Sequence, residues 1–303
     1  MMEETEFDPA ENSESIDFSA AEKNEIKKGV LYVVGTPIGN LSDFSPRAQH
    51  TLEGVDFIAA EDTRVTAKLL NHFGIRKPLV SYFEHNKAQK GDVICARILS
   101  GESCAIVSDA GMPAISDPGE MLVRQCAERN IPVYVVPGPS AVVSALAVSG
   151  LPTGRFTFEG FLSVTKRSRS AHLNEVKNEK RTMVFYEAPH KLLYTLRDML
   201  EVFGDRKIAL VREITKIHEE VKRTTLAEAV AFYEGNSPKG EYVLVIDGAE
   251  EEEKNSFTIE EAVLLANKKI ASGLSASQAA KESAAETGFK KGEIYRLLIN
   301  QPE

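Results

Sequence analysis

"CAIVSDAGMPAISDPGEMLVRQCAERN", residues 104–130, decides the fold. It opens on a short apolar run and breaks into a loop of two aspartates, two prolines and small residues. It closes on a helical pattern with Asp117 as N-cap, Pro118 in the first turn and Asn130 past the end. That is a strand followed by a helix, one step of a βα repeat. The loop between them packs no core, so its residues serve something else.

The same step recurs outward in both directions. "VLYVV" (30–34), "VDFIAA" (55–60), "PLVSYF" (78–83) and "IPVYVV" (131–136) alternate with helical patterns at the spacing a doubly wound parallel sheet needs. "SPRAQHTLEG" repeats the punctuation with Ser45, Pro46 and Gly54. An unusual stretch follows each strand: Gly35 to Asn40, Glu61 to Arg64, Glu84 to Asn86, Asp109 to Pro113 and Pro137 to Ser140. Open parallel sheets bind ligands at the carboxyl ends of their strands, so these five loops are expected to share one rim. None reads as GxGxxG, and the chain carries no P-loop, GxSxG elbow or HExxH helix.

Gly and Pro cluster at residues 149–156, and a second α/β pattern follows. Its strands are "RTMVFYE" (181–187), "RKIALVRE" (206–213) and "GEYVLVID" (240–247), and its helices are "PHKLLYTLRDMLEVFG" (189–204) and "TLAEAVAFYE" (225–234). The expected organisation is an acidic disordered tail (1–28), α/β domains at 29–148 and 149–248, an acidic linker (249–257) and a helical segment (258–303). That last segment has capped starts at Thr258 and Ser275, a capping box with Gln278, and a turn at Gly288, in a helix-turn-helix-like order.

The net charge of -9 is unevenly spread. Residues 1–28 and 247–261 carry -6 each, which leaves +3 for the remainder. A body with local basic stretches such as "TKRSRSAHLNEVKNEKR" (165–181) can engage phosphates. Cys95, Cys104 and Cys126 match neither a zinc-ligand nor a CxxC spacing; they are expected to be buried thiols in a reduced, cytoplasmic protein. No apolar run is long enough to cross a membrane, and the polar N-terminus does not read as a secretory signal.

"GTPIGNL", "AEDTR", "LLNHFGI", "SDAGMPAISDPG", "PGPSA", "FEGFL", "FYEAPHK", the Arg212–Lys216 stretch and "KGE" at 239–241, taken in order, resemble the bacterial ribosomal RNA small-subunit methyltransferase I family. That family is part of the tetrapyrrole-methylase-like (class III) methyltransferases, and the resemblance runs from about residue 29 to 248. It implies two α/β domains with the cofactor cleft between them. It further implies S-adenosylmethionine (SAM) as methyl donor, a cytidine ribose 2′-hydroxyl in the decoding region of 16S ribosomal RNA as acceptor, and a homodimer. Carried over, the donor lies along Pro37, then Asp109, Ala110, Gly111 and Met112, then Ser140 and Ala141, with Tyr186 closing the far side. Met112 stands where the family more often shows threonine. A tetrapyrrole C-methyltransferase of the same fold is the alternative, although "GTPIGN" departs from that group's "GxGPGD". A non-catalytic RNA-binding assembly factor is a second.

The implied transfer needs a proton acceptor and no metal, because the sulfonium is already activated. Glu61 and Asp62 share a strand end, where a like-charge neighbour raises a carboxyl pKa unless Arg64 pairs with one of them. In the other reading of "AEDTR", Arg64 forms an ion pair with one of the acids and Thr63 caps the following helix. His85 and Glu187 complete the set. Glu187 and His190 could equally be helix-terminal charges. Arg212 and Lys216 suit either RNA phosphates or pairing with Glu213 and Glu219.

Overall fold

In the computed structural model, residues 25–250 and 257–299 are described. The acidic tail to residue 24 and most of the linker lie outside the described residues. Residues 25–28 of the expected tail are described, and among them Ile26 and Lys28 make contacts with the body. Ile26 reaches Gly54 and the first core, and Lys28 Nζ lies 2.6 Å from Asp56.

Aliphatic runs form β1 (Leu31–Val34), β2 (Phe57–Ala60), β3 (Leu79–Ser81), β4 (Cys104–Val107) and β5 (Val133–Val136). They pair in parallel in the order β3-β2-β4-β1-β5, the doubly wound sheet expected. Its helices are α1 (Pro46–Gly54), α2 (Thr63–His72), α3 (Lys87–Leu99) and α4 (Gly119–Glu128). β1, β2 and β4 are buried on both faces, as a parallel sheet covered by helices requires. Ser45 caps α1 by accepting from Ala48 N–H. α4 starts later than its punctuation suggests: Pro118 is the N-cap, and Asp117 Oδ1 accepts from Gly119 N–H. Asn130 has φ 56°, as a residue past a helix end often does.

α5 (Ala141–Ser149) follows β5 but does not return to the first sheet. Val142, Ala145 and Leu146 pack on Val184, Ala209 and Val243 of the second sheet. The packing boundary therefore falls at Pro137–Ser140, ahead of the Gly/Pro cluster at 149–156.

The second sheet comprises β6 (Phe156–Phe161), β7 (Thr182–Glu187), β8 (Lys207–Arg212), β9 (Glu220–Thr225) and β10 (Tyr242–Ile246), in the order β6-β7-β10-β8-β9. Only β6 and β7 are parallel. α6 (Lys166–Glu175), α7 (Leu192–Phe203) and α8 (Leu226–Gly235) belong to this half, and the core includes Leu173, Phe185, Leu192, Leu196 and Leu244. Each such fully buried side chain is worth roughly 1.5–3 kcal/mol. β6 and β9 were not expected. Gly160 (φ 66°) sits at a register shift in β6, and β9, "EVKRTT", is a polar edge strand without apolar alternation.

The C-terminal unit holds α9 (Ile259–Ala271), α10 (Ala276–Thr287) and α11 (Lys291–Ile299) around Ala262, Ala266, Ala279, Ala280 and Ile294. Thr258 and Glu261 form a full capping box. Ser275 accepts from Gln278 N–H, and Gly288 closes α10 at φ 79°. Among the described residues no helix is long and apolar enough to cross a membrane.

Candidate functional site

Three strand-end loops lock together. Thr36 and Gly111 exchange backbone hydrogen bonds of 3.0 and 3.1 Å, which join the first loop to the fourth. Gly35 and Gly138 lie so close that a Cβ on Gly138 would stand 2.8 Å from Gly35 Cα. Only two glycines allow that approach of the first loop to the fifth. The fourth loop carries backbone strain, with Ala114 at φ 69° and Ser116 at φ 61°. Asp117 Oδ1 holds this shape by accepting from both Ala114 N–H and Gly119 N–H at 2.8 Å. Strain retained by such bracing marks functional loops.

The loops form one wall of a cavity of about 530 Å³. Glu61, Asp109 to Met112, Ser140 and Ala141 line this side. Phe161, Tyr186, Glu187, Glu213 and Lys216 face them from the second sheet. Tyr186 is flanked by Phe158 and Phe161, with ring centroids at 5.0 and 5.2 Å, and burial raises its phenol pKa. The Glu61 carboxyl is raised above its ordinary value, first by burial and then by the charges of Asp109 and Asp117, with Asp62 a smaller contributor. Lys216 Nζ pairs with Glu213 and Glu241 at 3.0 and 3.1 Å, and Arg212 pairs with Glu220. The expected Glu219 partner instead accepts from Thr215 N–H.

Four residues named from the sequence lie elsewhere. Asp62 caps α2 and grips Arg64 in a bidentate pair, which lowers the Asp62 carboxyl to about 2. Asp62, not Thr63, is therefore the cap. A carboxylate so stabilised is a weak base, and neither Asp62 nor Arg64 lines the cavity. His85 sits exposed in the turn before α3, its ring beside Phe83. Pro37 lines a neighbouring hollow of about 370 Å³. Glu187 does reach the cavity but is buried, accepting from Thr195 Oγ1 and Ala188 N–H. Met112 Sδ lies beside Gly35, and its side chain packs on the first sheet's core. Ile38, Ser116 and Phe161 also line the cavity; Ile38 and Ser116 lie in loops marked from the sequence without being singled out there, and Phe161 belongs to the strand hidden by its glycine.

Among the described residues no three His, Cys, Asp or Glu side chains gather as a metal ion needs. Cys95 and Cys126 are buried thiols with sulfurs 3.8 Å apart, and Cys104 is buried nearby.

The two-sheet architecture is shared with known enzymes. A uroporphyrin-III C-methyltransferase from Thermus thermophilus, solved with S-adenosyl homocysteine, superposes at TM-score 0.50. It is 18% identical and covers 71% of this chain and 96% of its own. The model of the Tetrapyrrole (Corrin/Porphyrin) Methylases matches residues 30–230, and the chain belongs to that family. Within it, the chain groups with the ribosomal RNA small subunit methyltransferases I. The relative of that name from Synechocystis sp. is 48% identical over 272 residues, 89% of this chain and 98% of the relative. The one from Escherichia coli O157:H7 is 41% identical, covering 90% and 96%.

Proposed function

We propose that this chain transfers a methyl group from SAM to the ribose 2′-hydroxyl of a cytidine in the decoding region of 16S ribosomal RNA, within the small ribosomal subunit. The observation that carries the reading is the cavity between the sheets, with a raised carboxyl, Glu61, on its wall. Its volume suits a cofactor-sized ligand, in the range of roughly 300–1,000 Å³. Tyr186 and Phe161 offer an aromatic face, and Asp109 to Met112 with Ser140 and Ala141 offer backbone and small polar groups. These residues fit a folded SAM. When bound, it supplies an activated methyl group.

The chain's own part is to position and to accept a proton. The braced fourth loop holds its geometry before ligand arrives, and such orientation is worth up to roughly 7–11 kcal/mol of barrier. Glu61, partly withdrawn from water, takes the hydroxyl proton as the oxygen attacks. Asp62, Arg64 and His85 take no part in that step.

The protein works in the cytoplasm, where its substrate is made, and as a homodimer. Tyr134 and Val135 on β5 and Val143 and Val148 on α5 are exposed apolar surface that a second copy covers. Light scattering at twice the monomer mass checks this.

The test is transfer from methyl-labelled SAM. Label in 16S RNA of small subunits supports the proposal. Label in uroporphyrinogen instead supports the tetrapyrrole reading, and failure to bind SAM supports a non-catalytic assembly factor.

A further inference from the structure

Of the residues lining the hollow of about 370 Å³ beside the cavity, the resemblance gives only Pro37 and the shared Asp109 to the donor, and the face on α2 has no assigned occupant. The hollow shares one wall with the cavity, Ser108 and Asp109, and lies between the first loop and one face of α2. Val65, Lys68, Leu69 and His72 recur at i, i+3, i+4 and i+7, so α2 turns that stripe to the hollow together with the buried Thr66, while Leu70 faces the core. Leu41 and Val65 are large apolar side chains left 43% and 40% exposed there. Arg64, Lys68 and His72 follow each other at intervals of four, a basic row along the same helix.

Apolar walls beside a basic row suit a flat ring attached to phosphates. The volume is near the lower limit of ligand sites, enough for one nucleoside. It is too small for four linked pyrroles, whose carboxylates would also meet Asp109. An occupant of the hollow abuts the cavity at Asp109, and Glu61 lines the cavity on the same side.

We propose that this hollow seats the target nucleotide, drawn out of the RNA strand. Its base lies against Leu41 and Val65, Lys68 and His72 hold the flanking phosphates, and the 2′-hydroxyl points across Asp109 into the cavity. The proposal rests on the functional reading above. It makes Val65 and Lys68 positioning residues and gives Arg64 a place beside the strand.

The test uses the full chain, purified small subunits and saturating SAM. Val65→Trp fills the hollow, and Lys68→Glu reverses a charge on an exposed position. Both are expected to keep SAM affinity within twofold and the melting temperature of the parent. Val65→Trp is expected to lower kcat/KM for small subunits at least tenfold. Lys68→Glu should raise KM at least fivefold with a flatter salt dependence, and Lys68→Arg should restore it. Should Val65→Trp lose its fold, Lys68→Glu and its rescue decide alone. Wild-type kinetics in both variants overturns the seat while leaving the methyltransferase reading standing. A wild-type protein that methylates no small subunit overturns both.

Discussion

In the proposed reaction the proton goes to Glu61, which lines the cavity. Its folded-state pKa is raised, so the fold holds the proton more tightly than the unfolded chain does. The charged form therefore costs stability above that raised value, and the cost vanishes as pH falls below the ordinary 4.5. Glu61→Gln is expected to melt higher than wild type at pH 7 and to lose that advantage at pH 4, as thermal melts will show. The same substitution should lower methyl transfer by about 10²–10⁴. In the wild type the rate should fall on acidification through the raised pKa, and a flat pH–rate profile would reject Glu61 as proton acceptor. Asp62 behaves oppositely. Its carboxyl is held low by Arg64, so Asp62→Ala should lower the melting temperature by freeing the start of α2 while turnover stays within about threefold. The sequence placed both acids at one strand end. Which of them turns inward depends on Arg64 two residues on and on Asp109 across the loop, and composition does not carry that information.

At the scale of elements, strand-end loops were legible where their neighbours in the sheet were apolar. "LYVV", "FIAA" and "CAIV" announce buried strands, and the loops after them inherit their place on the rim. β9 was illegible because an edge strand is held by backbone bonds to one neighbour, which any polar sequence can make. β6 was illegible because Gly160 interrupts its alternation, and Phe161 of the far wall went unnoticed with it. The first and fifth loops depend on the close approach of Gly35 and Gly138. Gly138→Ala should push the first and fifth loops apart and abolish measurable SAM binding by calorimetry. Gly235→Ala, where an added Cβ meets nothing, should bind as wild type does.

At the scale of the whole molecule, every residue lining the cavity and the hollow precedes Gly248, and α9 to α11 have a core of their own. Truncation after Glu253 should therefore leave SAM affinity intact. We propose that the helix-turn-helix-like unit docks RNA through phosphates. Residues 262–303 hold six Lys or Arg against four Glu, and Lys269 is already paired with Glu282 and Glu286. The truncated chain should bind small subunits more weakly with a shallower salt slope, while superimposable curves would leave this unit without a docking role. Methyl transfer to one ribose is tested by mapping the product. Small subunits lacking the modification are incubated with the protein and SAM, and the 16S RNA is surveyed for alkali-resistant linkages. One new 2′-O-methyl group is expected, on a cytidine in the decoding region; methylation on a base, or none on RNA, would contradict the proposed reaction.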